Sequence, residues 1–207
     1  MSNKISMAVI KRLPKYHRYL RELLDKDIKR ISSKELSEII GFTASQIRQD
    51  LNNFGGFGQQ GYGYNVEDLY EEIQKILGLS KNYNTIIIGA GNLGQALANY
   101  SSFGKFGFDL KGIFDVNPKI IGLTLNDIQV MDMDIVKEFT LENNIEIAYI
   151  CTNRSSAQSV ADLLVASGIK AIWNFAPVDL AVPEDVVVEN VHLIDNLLTL
   201  SYFLKDK

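Results

Sequence analysis

Residues 85–94 read Thr-Ile-Ile-Ile-Gly-Ala-Gly-Asn-Leu-Gly, a β-branched run closing in glycines spaced G-x-G-x-x-G. Residues 85–89 predict a strand of the buried type, and 92 to about 103 predict a helix, so the glycines fall at a strand-to-helix turn. Each then has its own task. Gly89 permits the tight turn, Gly91 lets the backbone approach a pyrophosphate, and Gly94 lets helix and strand pack closely. Ala90, Asn92 and Leu93 fill the same turn, whose free amides at the helix N-terminus face the anion. Asp115 ends the next predicted strand, 110–115, 21 residues beyond Gly94. A carboxylate there accepts the hydroxyls of an adenosine ribose and repels a 2′-phosphate, so the expected ligand is NAD(H) rather than NADP(H).

The alternation of strand and helix continues. Residues 131–143 read as mostly helical, 145–151 as a third strand, 155–167 as a helix and 171–175 as a fourth strand. Short β-rich pieces at 186–188 and 191–193 precede a final apolar helix, 194–204. Such alternation with right-handed crossovers gives a Rossmann-like, doubly wound parallel sheet, an α/β fold. After it only about thirty residues remain, too few for a separate substrate domain, so the chain is not expected to be an enzyme. Cys151 at a strand end reads as a small buried residue. His17 falls on the surface of a helix, and His192 lies three residues before Asp195 with no nucleophile arranged around them. One cysteine and two distant histidines offer neither a disulfide framework nor a metal site.

The chain before this is of another kind. Tyr16, Tyr19, Leu20, Leu23 and Leu24 recur at helical spacing. Ser32 stands three residues before Glu35, a capping box opening a second helix, and Thr43 stands three before Gln46, opening a third. Gly41-Phe42 separates these two helices, the sequence form of a helix-turn-helix. Ile47, Leu51 and Phe54 face inward on the third helix, leaving Ser45, Gln49 and Asn52 outward, flanked by Gln46 and Arg48. Gln and Asn can pair with adenine and Arg with guanine in the major groove, while Ser45 can hold phosphate. Residues 55–64 then interleave five glycines with aromatics, which suits a β-hairpin, the wing of a winged helix. Asn65 caps a fourth helix, 66–77, ending at Gly78, and 80–84 make a polar linker. Residues 1–53 carry a balance of +5 and the remainder −9, so only the front end is suited to a polyanion. The expected domains are 1–79, a winged helix-turn-helix; 80–193, the Rossmann unit; and 194–207, a C-terminal helix. No apolar run is long enough to span a bilayer and the first residues lack a secretory core, so the expected location is the cytoplasm.

Several motifs agree in order with one family: Lys11-Arg12-Leu13-Pro14, Ala44-Ser45-Gln46-Ile47-Arg48-Gln49-Asp50-Leu51, Phe54-Gly55, Gly61-Tyr62-Gly63-Tyr64-Asn65, the glycine turn, Phe114-Asp115, Gly168-Ile169-Lys170, Trp173-Asn174-Phe175-Ala176-Pro177 and Val182-Pro183. Over essentially its whole length the chain resembles the Rex family of redox-sensing transcriptional repressors. The resemblance implies a homodimer exchanging its C-terminal helices, and two winged helices on a palindromic double-stranded DNA operator. It implies repression of genes of fermentation, anaerobic respiration and NADH reoxidation, relieved by NADH with NAD⁺ competing. It places Arg12 near the DNA, Gln59, Gln60 and Tyr62 in the wing, Thr152 at the lip of the cofactor pocket, and Tyr100, Asn174, Ala176 and Pro177 around the nicotinamide end.

The chain departs from the family at three places. Gln59-Gln60 stand where relatives often have Lys-Arg, Thr152-Asn153 replace an apolar-Pro pair, and His192 replaces an aspartate. Two other readings have specific requirements. A small NAD-dependent oxidoreductase needs a general acid or base, for which His192 is the one candidate. A CoA-binding Rossmann module is disfavoured by Asp115, which suits a free ribose diol.

Overall fold

The computed structural model of the chain describes residues 5–55, 58–59 (backbone alone) and 62–205. They form two compact units, Met1–Lys81 and Asn82–Lys207. The first unit is organised by its helix caps. Helix α1 (Met7–Ile10) opens on Ser6, and α2 (Leu13–Leu24) follows with Pro14 in its first turn, where the missing N–H costs nothing. Strand β1 (Arg30–Ile31) leads into α3 (Ser33–Ile40), and here the capping box is complete: Glu35 N–H donates to Ser32 Oγ at 3.1 Å, and Ser32 N–H to Glu35 Oε2 at 2.8 Å. Gly41, at φ +81°, ends the helix in the left-handed conformation. Helix α4 (Ala44–Asn52) is capped by Thr43, which accepts from Gln46 N–H at 3.1 Å. The expected box is only half formed, because the Gln46 side chain turns away to Asp50.

Strands β2 (Gly58–Gln59) and β3 (Gly63–Asn65) pair antiparallel as the expected hairpin. Strand β1, which sequence reading missed, adds to β3, giving a three-stranded sheet ordered β1-β3-β2. Asn65 caps α5 (Val66–Ile76), accepting from Glu67 and Asp68 N–H. Leu13, Tyr16, Leu20, Leu36, Ile47, Leu51, Leu69 and Ile73 make the core of this unit.

His17 is not a surface residue. It is buried and stacked on Tyr70 of α5, ring centroids 4.7 Å apart. Helix α2 begins at Leu13 rather than Tyr16, so the inner stripe runs 13, 16, 17, 20, 23, and His17 falls within it. Burial, with Arg21 nearby, holds its imidazole below the ordinary 6.5. The folded unit therefore binds this proton less readily than the unfolded chain does. Stability should be flat above pH 6.5, fall as the pH drops below it, and level off under the folded-state value. His17→Phe should flatten the profile between pH 7.5 and 5.5 in thermal melts followed by circular dichroism; an unaltered slope would assign it to other groups.

The second unit is a seven-stranded sheet ordered β10-β9-β8-β4-β5-β7-β6. Its elements are β4 (Tyr83–Ile88), α6 (Asn92–Ala98), α7 (Ser102–Lys105), β5 (Phe108–Asp115), β6 (Thr124–Leu125), β7 (Ile128–Asp132), α8 (Val136–Glu142), β8 (Ile147–Ile150), α9 (Arg154–Ala166), β9 (Ala171–Asn174), β10 (Val187–Asn190) and α10 (Leu193–Leu204). All neighbours pair parallel except β6 with β7. Ile86 and Ile88 pack on one face of the sheet and Ile87 on the other, all three buried. That accounts for an unbroken apolar run in β4, since a doubly covered strand has no wet face.

Four expectations are corrected. Met131 lies in β7, not in a helix; residues 128–132 alternate, and Asn126 and Asp127, both at positive φ, turn the β6–β7 hairpin. The helix read from 92 to 103 is two helices with a break at residues 99–101. Asn and Ser compete there for backbone hydrogen bonds, and Asn99 Nδ2 donates to Gln95 O. Residues 83 and 84, read as linker, begin β4. The two pieces at 186–188 and 191–193 resolve into one strand, β10, with Leu193 already in α10.

Candidate nucleotide cleft and nucleic-acid interface

The chain runs β4, β5, β7 toward one edge of the sheet, then returns to β8, β9, β10 on the other side of β4. Between β4 and β8 the connections therefore diverge, which opens a crevice beyond the carboxyl ends of the strands. A cavity of about 420 Å³ lies there, lined among others by Gly89, Gly91, Asp115, Val116, Cys151 and Thr152. The glycines are distinguished by geometry. Gly89 sits at φ +97°, and a Cβ on it would come 2.9 Å from the backbone of Cys151. A Cβ on Gly94 would lie 1.9 Å from Gly89 O, whereas one on Gly91 would meet nothing within 4 Å. Gly91 is the N-cap of α6 and supplies no side-chain cap, leaving the first-turn amides beside Asn92 and Leu93 without a side-chain acceptor.

Asp115 is fixed before any ligand arrives. Its Oδ2 accepts from Ala90 N–H at 2.7 Å and its Oδ1 from Asn117 N–H at 2.8 Å. A carboxylate oxygen has two lone pairs, so each still has one for a ribose hydroxyl. The cavity also takes in Asn153, already noted as a departure from the family, and Ser156 and Ser159 at the start of α9, which sequence reading did not single out. The available signal was Asn153 three residues before Ser156, an N-cap pair whose amide hydrogen bond is 3.0 Å. Burial pushes the Cys151 thiol up to about 12. Thr152 Oγ1 is buried without a hydrogen-bond partner among the described residues.

The remaining expected cofactor residues are not brought to this cavity. Tyr100 is exposed, packs on Phe103 at 4.8 Å, and borders a separate cavity of about 560 Å³ with Leu97, Asp109 and Tyr149. Asn174 is fully buried: Nδ2 donates to Val178 O at 2.7 Å and to Asn190 Oδ1 at 2.8 Å, and Oδ1 accepts from Ala176 N–H at 3.0 Å. It clamps the turn after β9, burying Ala176 and leaving Pro177 exposed. His192 faces Asp179 at 3.1 Å, not Asp195, and does not line the nucleotide cavity.

In the first unit Ser45, Arg48, Gln49 and Asn52 are exposed on α4, while Ile47 and Leu51 are buried. Arg48 Nη1 donates to Ser33 Oγ at 3.0 Å, tying α4 to α3. Arg12 and Gln46 instead turn to Asp50, a residue that sequence reading passed over. Asp50 is fully buried and accepts four hydrogen bonds: from Arg12 Nε at 2.6 Å and Nη2 at 2.7 Å, from Tyr16 Oη at 2.9 Å and from Gln46 Nε2 at 2.8 Å. Burial alone would push its carboxyl up, but the Arg12 guanidinium with Gln46 and Tyr16 outweighs burial and holds it below the ordinary range. The missed signal was an acid on the apolar side of a helix, which needs a buried cation. Tyr62 is exposed, and its carbonyl accepts from Arg30. Gln60 and the Gln59 side chain lie outside the described residues.

Comparison with known proteins agrees with this division. Residues 80–178 match a family described as CoA binding domain, and residues 4–52 match one described as putative DNA-binding protein N-terminus. A redox-sensing transcriptional repressor Rex from Thermoanaerobacter pseudethanolicus is 66% identical over 99% of this chain and 91% of its own. Its counterpart in Clostridioides difficile is 63% identical over 100% and 99%. Among solved structures, RSP in complex with β-NAD⁺ and operator DNA matches with a TM-score of 0.93, 66% identity and coverage of 98% and 93%. RSP in complex with β-NADH matches at 0.91, 63% identity and coverage of 99% and 96%. A likeness this high along the whole chain, over a G-x-G-x-x-G cleft and a winged helix, places the protein in the Rex family of redox-sensing transcriptional repressors.

Proposed function

We propose that this chain represses transcription as a homodimer, binding a palindromic operator through its winged helices and releasing it when NADH occupies the Rossmann cleft. The carrying observation is the cleft at the divergence of β4 and β8, where Asp115 is held by Ala90 and open to a ribose diol. Relatives solved with NAD⁺ and operator DNA, and with NADH, support the same ligands for this chain. NAD⁺ and NADH share everything but a hydride and a positive charge at the nicotinamide. NAD⁺ therefore competes for the cleft, and only that ring can distinguish the two. The residues proposed for the cofactor are Gly89, Ala90, Gly91, Asn92, Leu93, Gly94, Asp115 and Thr152, with Tyr100, Asn174, Ala176 and Pro177 toward the nicotinamide end. Ser45, Arg48, Gln49, Asn52 and the wing residues Gln59, Gln60 and Tyr62 meet DNA, with Arg12 and Gln46 at the edge of that face. The targets are genes of fermentation, anaerobic respiration and NADH reoxidation, and the site of action is the cytoplasm.

The exposed helix α10 supports the dimer. Leu193, Ile194, Leu197, Leu198, Leu200, Tyr202, Phe203 and Leu204 are all exposed, and the helix buries none of its residues. An apolar surface of that extent is suited to exchange with a second copy. A coupling of about 1–3 kcal/mol between nucleotide and operator would change operator affinity roughly 5- to 150-fold.

The test is fluorescence anisotropy of the full chain on a palindromic AT-rich duplex at fixed salt, without nucleotide, with NAD⁺ and with NADH. Specific binding relieved by NADH alone supports the reading. Binding indifferent to NADH removes the switch, and no binding at all returns attention to an oxidoreductase. Arg48→Ala should lower specific operator affinity at least tenfold with NADH binding unchanged, one lost bidentate contact being worth about 1–3 kcal/mol. Loss of both would signal misfolding. Asp115→Ala should weaken NADH by about tenfold, two charge-assisted hydrogen bonds being lost; unchanged affinity by calorimetric titration would remove Asp115 from the site.

A further inference from the structure

The four-donor cluster on Asp50 has a consequence for how α4 reads DNA. A carboxylate only accepts hydrogen bonds, so an amide 2.8 Å from it must present its NH₂ group. The end-for-end ambiguity of a glutamine amide is thereby removed at Gln46. Its Oε1 has no hydrogen-bond partner among the described residues and is not among the buried unpartnered atoms. Gln46 also borders, with Gln49 and Asn52, a cleft of about 660 Å³ between α4 and the segment around Ser6 and Val9. Arg12 Nε and Tyr16 Oη hold Oδ2 and Arg12 Nη2 shares Oδ1 with Gln46, so Asp50 cannot turn away from Gln46 without breaking its bonds to Arg12 and Tyr16.

We propose that Asp50 is a positioning residue for base recognition: it fixes Gln46 with the carbonyl toward the DNA. Position 46 then reads as an acceptor in the major groove. It selects a base offering an exocyclic amino group, adenine N6 or cytosine N4, over the keto oxygens of guanine and thymine on the contacted strand. An unrestrained glutamine would turn end for end and tolerate both. The inference rests on the operator-binding reading of the first unit.

The experiment uses the full chain and a duplex selected by it from a randomised pool. Anisotropy titrations at fixed salt then compare that duplex with a panel carrying each single base-pair substitution. The unaltered protein should prefer an amino-bearing base over a keto base by about tenfold at one position per half-site. Gln46→Met, which leaves Asp50, Arg12 and Tyr16 in place, should flatten that ratio there and nowhere else. Asp50→Asn, whose own amide can offer either end to Gln46, should bring the same ratio to within about twofold while other positions keep theirs. A merely structural Asp50 would lower affinity across the whole panel by one common factor with every ratio preserved, and that result overturns the proposal. If Asp50→Asn does not fold, an unchanged ratio in Gln46→Met overturns it. Absence of sequence-specific binding by the unaltered chain overturns this inference and the operator reading together; specific binding with no amino-over-keto position overturns the inference alone.

Discussion

Gly94→Ala should abolish NADH binding and destabilise the Rossmann unit by about 3 kcal/mol, at the upper end of ordinary overpacking. The added methyl would lie 1.9 Å from Gly89 O and 3.0 Å from Gly89 C, both backbone atoms of the loop that meets the pyrophosphate. No side-chain rotation relieves such a contact, so either α6 moves away from β4 or the loop opens. Both outcomes misplace the amides beside Gly91. The single tryptophan, Trp173, lies in β9, so its fluorescence during denaturation reports this unit alone. An unchanged midpoint with NADH affinity intact would mean that helix and strand separate at no cost.

Asp50→Ala should strongly destabilise the first unit. Removing one partner of a buried ion pair typically costs about 3–5 kcal/mol, because the other charge is left without compensation. The low end applies here, about 3 kcal/mol, since the Arg12 side chain keeps 23% of its surface and can recruit water. Tyr16 Oη and Gln46 Nε2 lose their acceptor at the same time. Operator binding should disappear while NADH titration of the other unit stays normal. A melting profile within the error of the unaltered chain would show that water replaces the carboxylate fully.

The elements legible in the sequence are those whose signal is local. The box at Ser32 and Glu35, the cap at Asn65, the turn at Gly89–Gly94 and the acid at Asp115 each declare themselves within a few residues, because backbone geometry demands particular side chains there. The features that escaped depend on a distant partner. Strand β1 has two residues and exists only because β3 pairs with it. His17 is buried because α5 brings Tyr70 over it, and Asp50 makes sense only when Arg12, 38 residues earlier, folds back onto it. The cavity shows the same limit. Gly89, Gly91, Asp115 and Thr152 converge, as strand-end positions must at a point where connections diverge, but nothing local to Tyr100 or Asn174 says which way its side chain turns.

Cys151 lines the cleft proposed for a redox nucleotide, and it is the one sulfhydryl in the chain. Peroxides and disulfides react with thiolate rather than thiol. With burial pushing the group up to about 12, the unreactive thiol dominates at neutral pH. Burial thereby disfavours reaction of this sulfur with oxidants inside the cleft proposed for the signal. The protein's response can follow the balance of a dissolved electron carrier through reversible occupancy, without leaving a covalent mark on the polypeptide.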